Sequence, residues 1–145
     1  MGSHLASSGV RVEQGALRDV LPAALDRGVG VVIAGVYNSG LLAQNRPATN
    51  ARYDYEAAPD DVVARVHRIA DVCERYGVTV PAVALAFVRA HPAVIATVVG
   101  ARSGSQVDSN VARARTRIPG ELWDELRAQG LLDPDAPVPV DSPPN

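Results

Sequence analysis

The chain has 145 residues, a length that fits one domain, and its 47% hydrophobic and 21% charged residues are typical of a folded globular protein. The formal net charge is -2, with arginine interspersed among aspartate and glutamate, which argues against nucleic acid or an anionic membrane as a partner. A single cysteine, Cys73, excludes an internal disulfide and a cysteine-based metal cluster, and it agrees with a reducing compartment such as the cytoplasm. No apolar run approaches the ~20 residues needed to cross a bilayer.

The two ends of the chain are predicted to lie outside the packed domain. Residues 1–9 lack the apolar core of a signal peptide and are typical of a vector-derived tag. Residues 133–145 hold five prolines, so we expect an extended tail without a helix or a packed strand. This division leaves residues 10–132 as the folded unit.

A helix and a buried strand are the first predicted elements. Apolar residues recur at helical spacing over residues 14–27, and Gly28 is a suitable stop. Because Pro22 either lies in a first turn or kinks the helix, we expect the regular part of the helix to begin near Asp19. Residues 29–36 form a short β-branched apolar run, which predicts a parallel strand buried on both faces. A buried helix is the alternative, which the length and the valine content disfavour.

An irregular segment over residues 37–59 precedes two helices, and a loop of this length usually has a function or is mobile. From Asp60 onward, apolar spacings of 4, 3, 4 and 3 predict an amphipathic helix that ends at Gly77. Thr79 begins the second helix with Pro81 in its first turn, and apolar residues nearly all round predict a central position. The apolar face of the first of these helices consists of Val62, Val66, Ile69, Cys73 and Tyr76.

The second helix ends before Pro92, and residues 94–99 form another buried apolar strand. Ser103 and Gln106 then have the spacing of a capping box, in which the serine hydroxyl accepts from a backbone amide and the glutamine side chain reaches back. The helix that they begin should run to about Arg113.

A last helix over residues 119–129 completes the order helix, strand, loop, two helices, strand, two helices. Alternating strands and helices imply a parallel sheet, which needs neighbours on both edges and cover on both faces. Two strands alone indicate either a part of a larger sheet or a chain that pairs its edges with another copy. A self-contained three-layer domain, with extra strands supplied by loop segments, is the alternative.

Three stretches, taken together, resemble the aldo/keto reductase family, most of all its fucose dehydrogenase and aldose 1-dehydrogenase branch. They are residues 31–43, residues 53–59 with the helix after them, and residues 98–110. The first is similar to the seventh barrel strand and its loop, and the third to the eighth strand and its phosphate-binding loop. The resemblance covers roughly residues 13–138. It implies an α/β fold that is the C-terminal portion of a TIM (βα)8 barrel, about two parallel strands with flanking helices.

The resemblance also implies two sets of cofactor-binding residues. Six residues correspond to the positions that hold the adenosine 2′-phosphate and adenine end of NAD(P): Gly100, Ala101, Arg102, Ser103, Gln106 and Asn110. Three more correspond to the loop over the pyrophosphate: Ser39, Gly40 and Leu41. Small residues let the backbone approach a ligand, a helix N-terminus favours an anion, and arginine adds a permanent charge. Glutamine at position 106, where the family often has a basic residue, leaves NADP and NAD both open.

Each of these sets also has a plain structural interpretation. Asn38, Ser39 and Gly40 are consistent with an ordinary turn. Ser103 and Gln106 cap a helix whether or not a ligand binds.

No catalytic residue is assigned. In the family, the catalytic aspartate, tyrosine, lysine and histidine come from the first half of the barrel, before the region that this chain resembles. The chain has no lysine, since all 14 of its basic residues are arginine. His67 is predicted as a surface or boundary residue, His91 as a capping or solvated residue at a helix end, and Cys73 as an inert core thiol. No spacing of histidine, cysteine and carboxylates indicates a metal site.

Three hypotheses about function follow. The first is a part of an NAD(P)-dependent oxidoreductase acting on sugars or small carbonyl compounds, inactive alone, with residual or no affinity for NADP or NAD. The second is a non-catalytic module that forms a homo-oligomer through its exposed strand edges. The third is an active enzyme with a new site built from Arg102, Tyr37 and His91.

Overall fold

A computed structural model describes residues 9–37, 41–46, 52–53, 56–57 and 59–140. The predicted order of elements is confirmed, with a short hairpin added inside the irregular segment. The elements are α1 (Gly9–Asp26), β1 (Val31–Ala34), β2 (Arg52–Tyr53), β3 (Glu56–Ala57), α2 (Asp60–Arg75), α3 (Val80–Arg89), β4 (Val94–Val98), α4 (Gly104–Arg115) and α5 (Gly120–Ala128).

Strands β1 and β4 form a parallel pair, as the sequence predicts. Val32 pairs with Ala96 and Ala34 pairs with Val98, after a register shift that follows Val31. A parallel pair requires a long crossover, and α2 and α3 lie within this one. The carboxyl ends of the two strands therefore meet at one edge of the sheet.

Only one face of this sheet is covered, so the prediction of strands buried on both faces is wrong for the described residues. Val32 is 53% exposed and Val98 is 57% exposed, while Ile33 packs against the core. The physical reason is that the helices packed on the sheet lie on one side of it. In the part of the chain that the structure describes, nothing covers the opposite face.

The core lies between the covered face of the sheet and helices α2, α3 and α5. Its fully buried side chains include Val66, Leu85, Leu122 and Trp123. Each fully buried valine or leucine contributes roughly 1.5–3 kcal/mol. The predicted apolar face of α2 is confirmed, except that Tyr76 is only partly buried, and α3 is central as expected.

Helix α1 differs from its prediction at both Pro22 and its start. It begins at Gly9, the last residue of the predicted tag, and continues through Pro22 instead of beginning near Asp19. Proline lacks an N–H, so this turn of the helix has no bond from residue 22 to the carbonyl of Arg18. The predicted stop is confirmed, because Gly28 has a φ of 67°. Residues 1–8, the remainder of the predicted tag, lie outside the described residues.

The irregular segment and the tail are also more ordered than expected. Strands β2 and β3 form an antiparallel pair in which Tyr53 faces Glu56. In the predicted tail, the Ala136 N–H donates to the Asp133 carbonyl at 3.1 Å, and Ala136 is buried. The tail therefore begins with a packed turn, although residues 133–140 hold no helix or strand. Among the described residues, no helix is long and apolar enough to span a bilayer.

Candidate cofactor site

An open cleft of about 620 Å³ lies at the joined carboxyl ends of β1 and β4. One wall is formed by residues 35–37, which follow β1, and the other by residues 98–102, which follow β4. In parallel sheets, ligands bind at the carboxyl ends of the strands. Four of the predicted cofactor residues line this cleft: Gly100, Ala101, Arg102 and Gln106.

The backbone at Gly100 and Ala101 is open to solvent. Both residues are exposed, and a Cβ added at Gly100 would meet no atom within 4 Å. The fold itself therefore does not require glycine at position 100. A ligand that lies against the backbone would explain why the residue at position 100 is small.

Ser103 and Gln106 form a modified capping box at the start of α4. The Gln106 N–H donates to Ser103 Oγ at 3.3 Å, which confirms the serine half of the prediction. The Gln106 side-chain oxygen, however, accepts from the Arg102 N–H at 2.7 Å, one residue earlier than the capping box predicts. Arg102 and Ser103, the two residues before α4, are thus both held by hydrogen bonds with Gln106.

The N-terminus of α4 has the chemistry of an anion site. The first amides of an α-helix have no partner within the helix, and its dipole favours negative charge. The hydroxyls of Ser103 and Ser105 lie 3.0 Å apart in the same turn. The Arg102 side chain is exposed, so its guanidinium is accessible to a phosphate in the cleft. These groups together suit the phosphate of a dinucleotide.

Asn110 lies in a cluster with Tyr37 and Arg113 that the sequence does not predict. The Tyr37 hydroxyl donates to Asn110 Oδ1 at 3.1 Å, and Arg113 Nη1 donates to the same atom at 3.4 Å. Asn110 Nδ2 donates to the Gly100 carbonyl at 3.4 Å. The sequence does indicate the contact between Asn110 and Arg113, because residues three apart on a helix are neighbours.

The pyrophosphate loop is described only in part. Ser39 and Gly40 lie outside the described residues. Leu41 is 2% exposed, and its side chain packs in the core with Leu42. Any contact of Leu41 with a ligand would therefore use its backbone.

The three groups of the proposed new site do not come together. Arg102 and Tyr37 line the cleft, whereas His91 precedes β4 and lies at the opposite end of that strand. His91 is 6% exposed, and its Nδ1 accepts from the Ala93 N–H at 3.1 Å. Burial lowers the pKa of His91, which favours the neutral form of its ring.

The remaining candidates are structural. His67 is partly exposed and lies 3.4 Å from Arg46 Nη1, as expected of a surface residue. Burial raises the pKa of Cys73 to about 12, so this thiol is neutral and unreactive near neutral pH. Among the described residues, no group of three or more histidine, cysteine or carboxylate side chains could hold a metal ion.

Comparison with known proteins agrees with the resemblance found in the sequence. The aldo/keto reductase family model matches residues 11–129. Pyridoxal 4-dehydrogenase of Microbacterium luteolum is 40% identical over 121 residues, which is 83% of this chain and 35% of that protein. D-threo-aldose 1-dehydrogenase of a Pseudomonas species is 40% identical over 121 residues, or 83% of this chain and 37% of that protein.

A third relative is more distant. The uncharacterized oxidoreductase YrpG of Bacillus subtilis (strain 168) is 30% identical over 115 residues, or 77% of this chain and 35% of that protein. The chain thus spans about a third of the length of the curated relatives that it matches. The extent of the family match and the 40% identity of two relatives show that this chain belongs to the aldo/keto reductase family.

Proposed function

We propose that this chain is the cofactor-holding C-terminal part of an NAD(P)-dependent aldo/keto reductase barrel, and that it is catalytically inactive alone. Its role would be to bind the adenine and phosphate end of NADP or NAD. The parent reaction would be hydride transfer between the nicotinamide and a sugar or small carbonyl compound, in the cytoplasm. The names of the two relatives that are 40% identical support a substrate of this class.

One observation carries the proposal. The carboxyl ends of β1 and β4 open on a cleft beside the N-terminus of a capped helix, with Arg102 exposed at its rim. Among the described residues, Arg102 makes no side-chain hydrogen bond or ion pair, so its charge is available to a 2′-phosphate. The residues present therefore fit the phosphate end of the cofactor, which supplies the hydride chemistry when it is bound.

The proposed inactivity rests on the acid and base groups. The chain has no lysine that could lower the pKa of a tyrosine acid. The Tyr37 hydroxyl, at the cleft, donates to Asn110, which is not a base. Burial raises the pKa of Tyr76, with a further contribution from Glu125, and this makes Tyr76 a weaker acid. His91 lies at the opposite end of β4 from the cleft.

The proposal is tested by titrating the purified chain with NADPH and NADH, and by assaying oxidation of either with aldoses and aldehydes. Trp123, the only tryptophan, can serve as the fluorescence donor to the reduced nicotinamide. We expect saturable binding without turnover. Turnover by the pure chain would contradict the inactive assignment, and the absence of any binding would contradict the cofactor role.

The uncovered face of the sheet supports a second function, self-assembly. Val32 and Val98 are more than half exposed on this face, and Ala34 and Ala96 are exposed beside them. Burying apolar surface stabilises by about 25 cal/mol per Å², so pairing of two such faces is favourable. A homo-oligomer formed through this face and the strand edges is compatible with cofactor binding. A stable monomer in sedimentation velocity would contradict it.

A further inference from the structure

Three side chains beside the cleft form one hydrogen-bonded cluster: Tyr37, Asn110 and Arg113. Asn110 Oδ1 accepts from the Tyr37 hydroxyl at 3.1 Å and from Arg113 Nη1 at 3.4 Å. The Arg113 guanidinium carbon also lies 5.7 Å from the centre of the Tyr37 ring, within the range of a cation–π contact. An amide oxygen has two lone pairs, and both are used here. This oxygen therefore has no capacity left for a ligand.

The cluster connects the separate segments from which the cleft is built. Tyr37 belongs to the segment after β1. Asn110 Nδ2 donates to the carbonyl of Gly100, which belongs to the segment after β4. Arg113 Nη2 donates to the carbonyl of Ala43 at 3.4 Å, and Ala43 lies in the loop over residues 41–46. Two side chains of α4 thus hold three segments in place.

We infer that Tyr37, Asn110 and Arg113 are positioning residues that set the separation of the two cleft walls. The inference rests on the proposed cofactor-binding function and deepens it. The walls follow strands whose sheet is covered on one face only, so the covering helices support them from one side. The cluster supplies the cross-link between the walls that the two-stranded sheet does not.

Hydroxyl removal at Tyr37 tests the cross-link with little change in shape. Tyr37→Phe, Asn110→Leu and the double variant are compared by NMR titration with NADPH and with inorganic pyrophosphate, which has no adenine. Each single variant should weaken both probes about threefold to tenfold, the range that one lost hydrogen bond gives. The double variant should lose no more than Asn110→Leu alone, because coupled groups are not additive. Tyr76→Phe, a partly buried tyrosine on the α2 side, is the matched control and should change neither affinity.

Two results would overturn the inference. If the affinity for NADPH falls while that for pyrophosphate is unchanged, Asn110 contacts adenine directly. If the two single losses add in the double variant, the residues act independently. Where Asn110→Leu fails to fold, Tyr37→Phe with Arg113→Lys replaces it in the same cycle.

Amide exchange measured without ligand distinguishes failure of the proposed cofactor role from failure of this inference. The Leu42 N–H donates to the Tyr37 carbonyl at 3.0 Å, so Leu42 reports on how the loop is held. If the unsubstituted chain binds neither probe, the cofactor role fails. Faster exchange at Leu42 in Tyr37→Phe, but not in Tyr76→Phe, then still supports the cross-link. Unchanged exchange at Leu42 overturns it.

Discussion

The side-chain oxygen of Gln106 accepts a 2.7 Å hydrogen bond from the backbone N–H of Arg102. Gln106 belongs to the first turn of α4, and Arg102 belongs to the loop that follows β4. The bond therefore ties the residue that carries the exposed cation to the helix whose N-terminus favours an anion. This pair is the centre of the proposed phosphate site.

Replacing Gln106 tests that bond directly. Gln106→Leu should speed amide exchange at Arg102, because the N–H loses its acceptor. Gln106→Glu keeps an acceptor oxygen at the same reach and should retain most of the protection. Exchange measured by NMR distinguishes the two variants. Equal exchange at Arg102 in Gln106→Leu and the unsubstituted chain would show that the bond does not hold the loop.

Removing the helix cap should lower stability. Ser103→Ala deletes the hydroxyl that accepts from the Gln106 N–H, and loss of such a cap costs about 1 kcal/mol. The free energy of unfolding in urea measures the effect. Ser109→Ala is the control, because the Ser109 hydroxyl donates to the Ser105 carbonyl within the same exposed helix and caps nothing. Equal losses in the two variants would contradict the capping role.

Arg102 should distinguish the two cofactors. Arg102→Gln is expected to weaken NADPH binding roughly tenfold, the scale of one charge-assisted hydrogen bond, and NADH binding less, because only NADPH carries the 2′-phosphate. Arg115→Gln makes the same change of charge at the other end of α4 and should leave both affinities nearly unchanged. Calorimetric titrations provide the comparison. An equal loss for NADPH and NADH would place the 2′-phosphate elsewhere.

His91 should make stability depend on pH. Its Nδ1 accepts from the Ala93 N–H, and burial holds its folded pKa below the ordinary value of 6.5. The unfolded chain thus takes up a proton first as the pH falls. The contribution of His91 to the free energy of unfolding is present above about pH 6.5 and is lost as the pH falls through the lower folded pKa.

Two histidine variants test this pH dependence of stability. His91→Asn keeps a short polar acceptor that does not titrate, so its free energy of unfolding should fall less between about pH 7.5 and about pH 5 than that of the unsubstituted chain. His67→Asn, at the partly exposed position, is the control. An identical pH dependence in His91→Asn and the unsubstituted chain would rule out this role for His91.

The uncovered sheet face should control self-association. Val32→Asp places a charge at the centre of that face and should shift the sedimentation profile to the monomer, because a buried unpaired charge is costly. Val140→Asp makes the same substitution at a position that is 85% exposed and away from the sheet, and it should leave the profile unchanged. Equal effects of the two variants would contradict an interface at the sheet face.

Local signals in the sequence were enough to predict most elements. The apolar spacing of α2, the start of α3 at Thr79 and the serine cap of α4 all depend on residues within a few positions of one another. Each was confirmed. The family was also predictable, because its motifs keep their order along the chain.

Two features that depend on tertiary contacts were not predictable. The contact of Tyr37 with Asn110 joins residues 73 positions apart, and no local pattern indicates it. The valine-rich strands predict burial on both faces, but the apolar character of Val32 and Val98 does not reveal whether a neighbour covers them. Assignment of the site residues as cofactor ligands stays a prediction.

We propose that this chain binds the phosphate end of a nicotinamide dinucleotide at the carboxyl ends of β1 and β4. An amide NMR titration of the full chain with NADPH tests it most directly. We expect saturable shifts concentrated at residues 100–106 and at Tyr37, with the amide of Ala93, at the other end of β4, unchanged. Saturable shifts that lie elsewhere, or no saturable shifts at all, would contradict it.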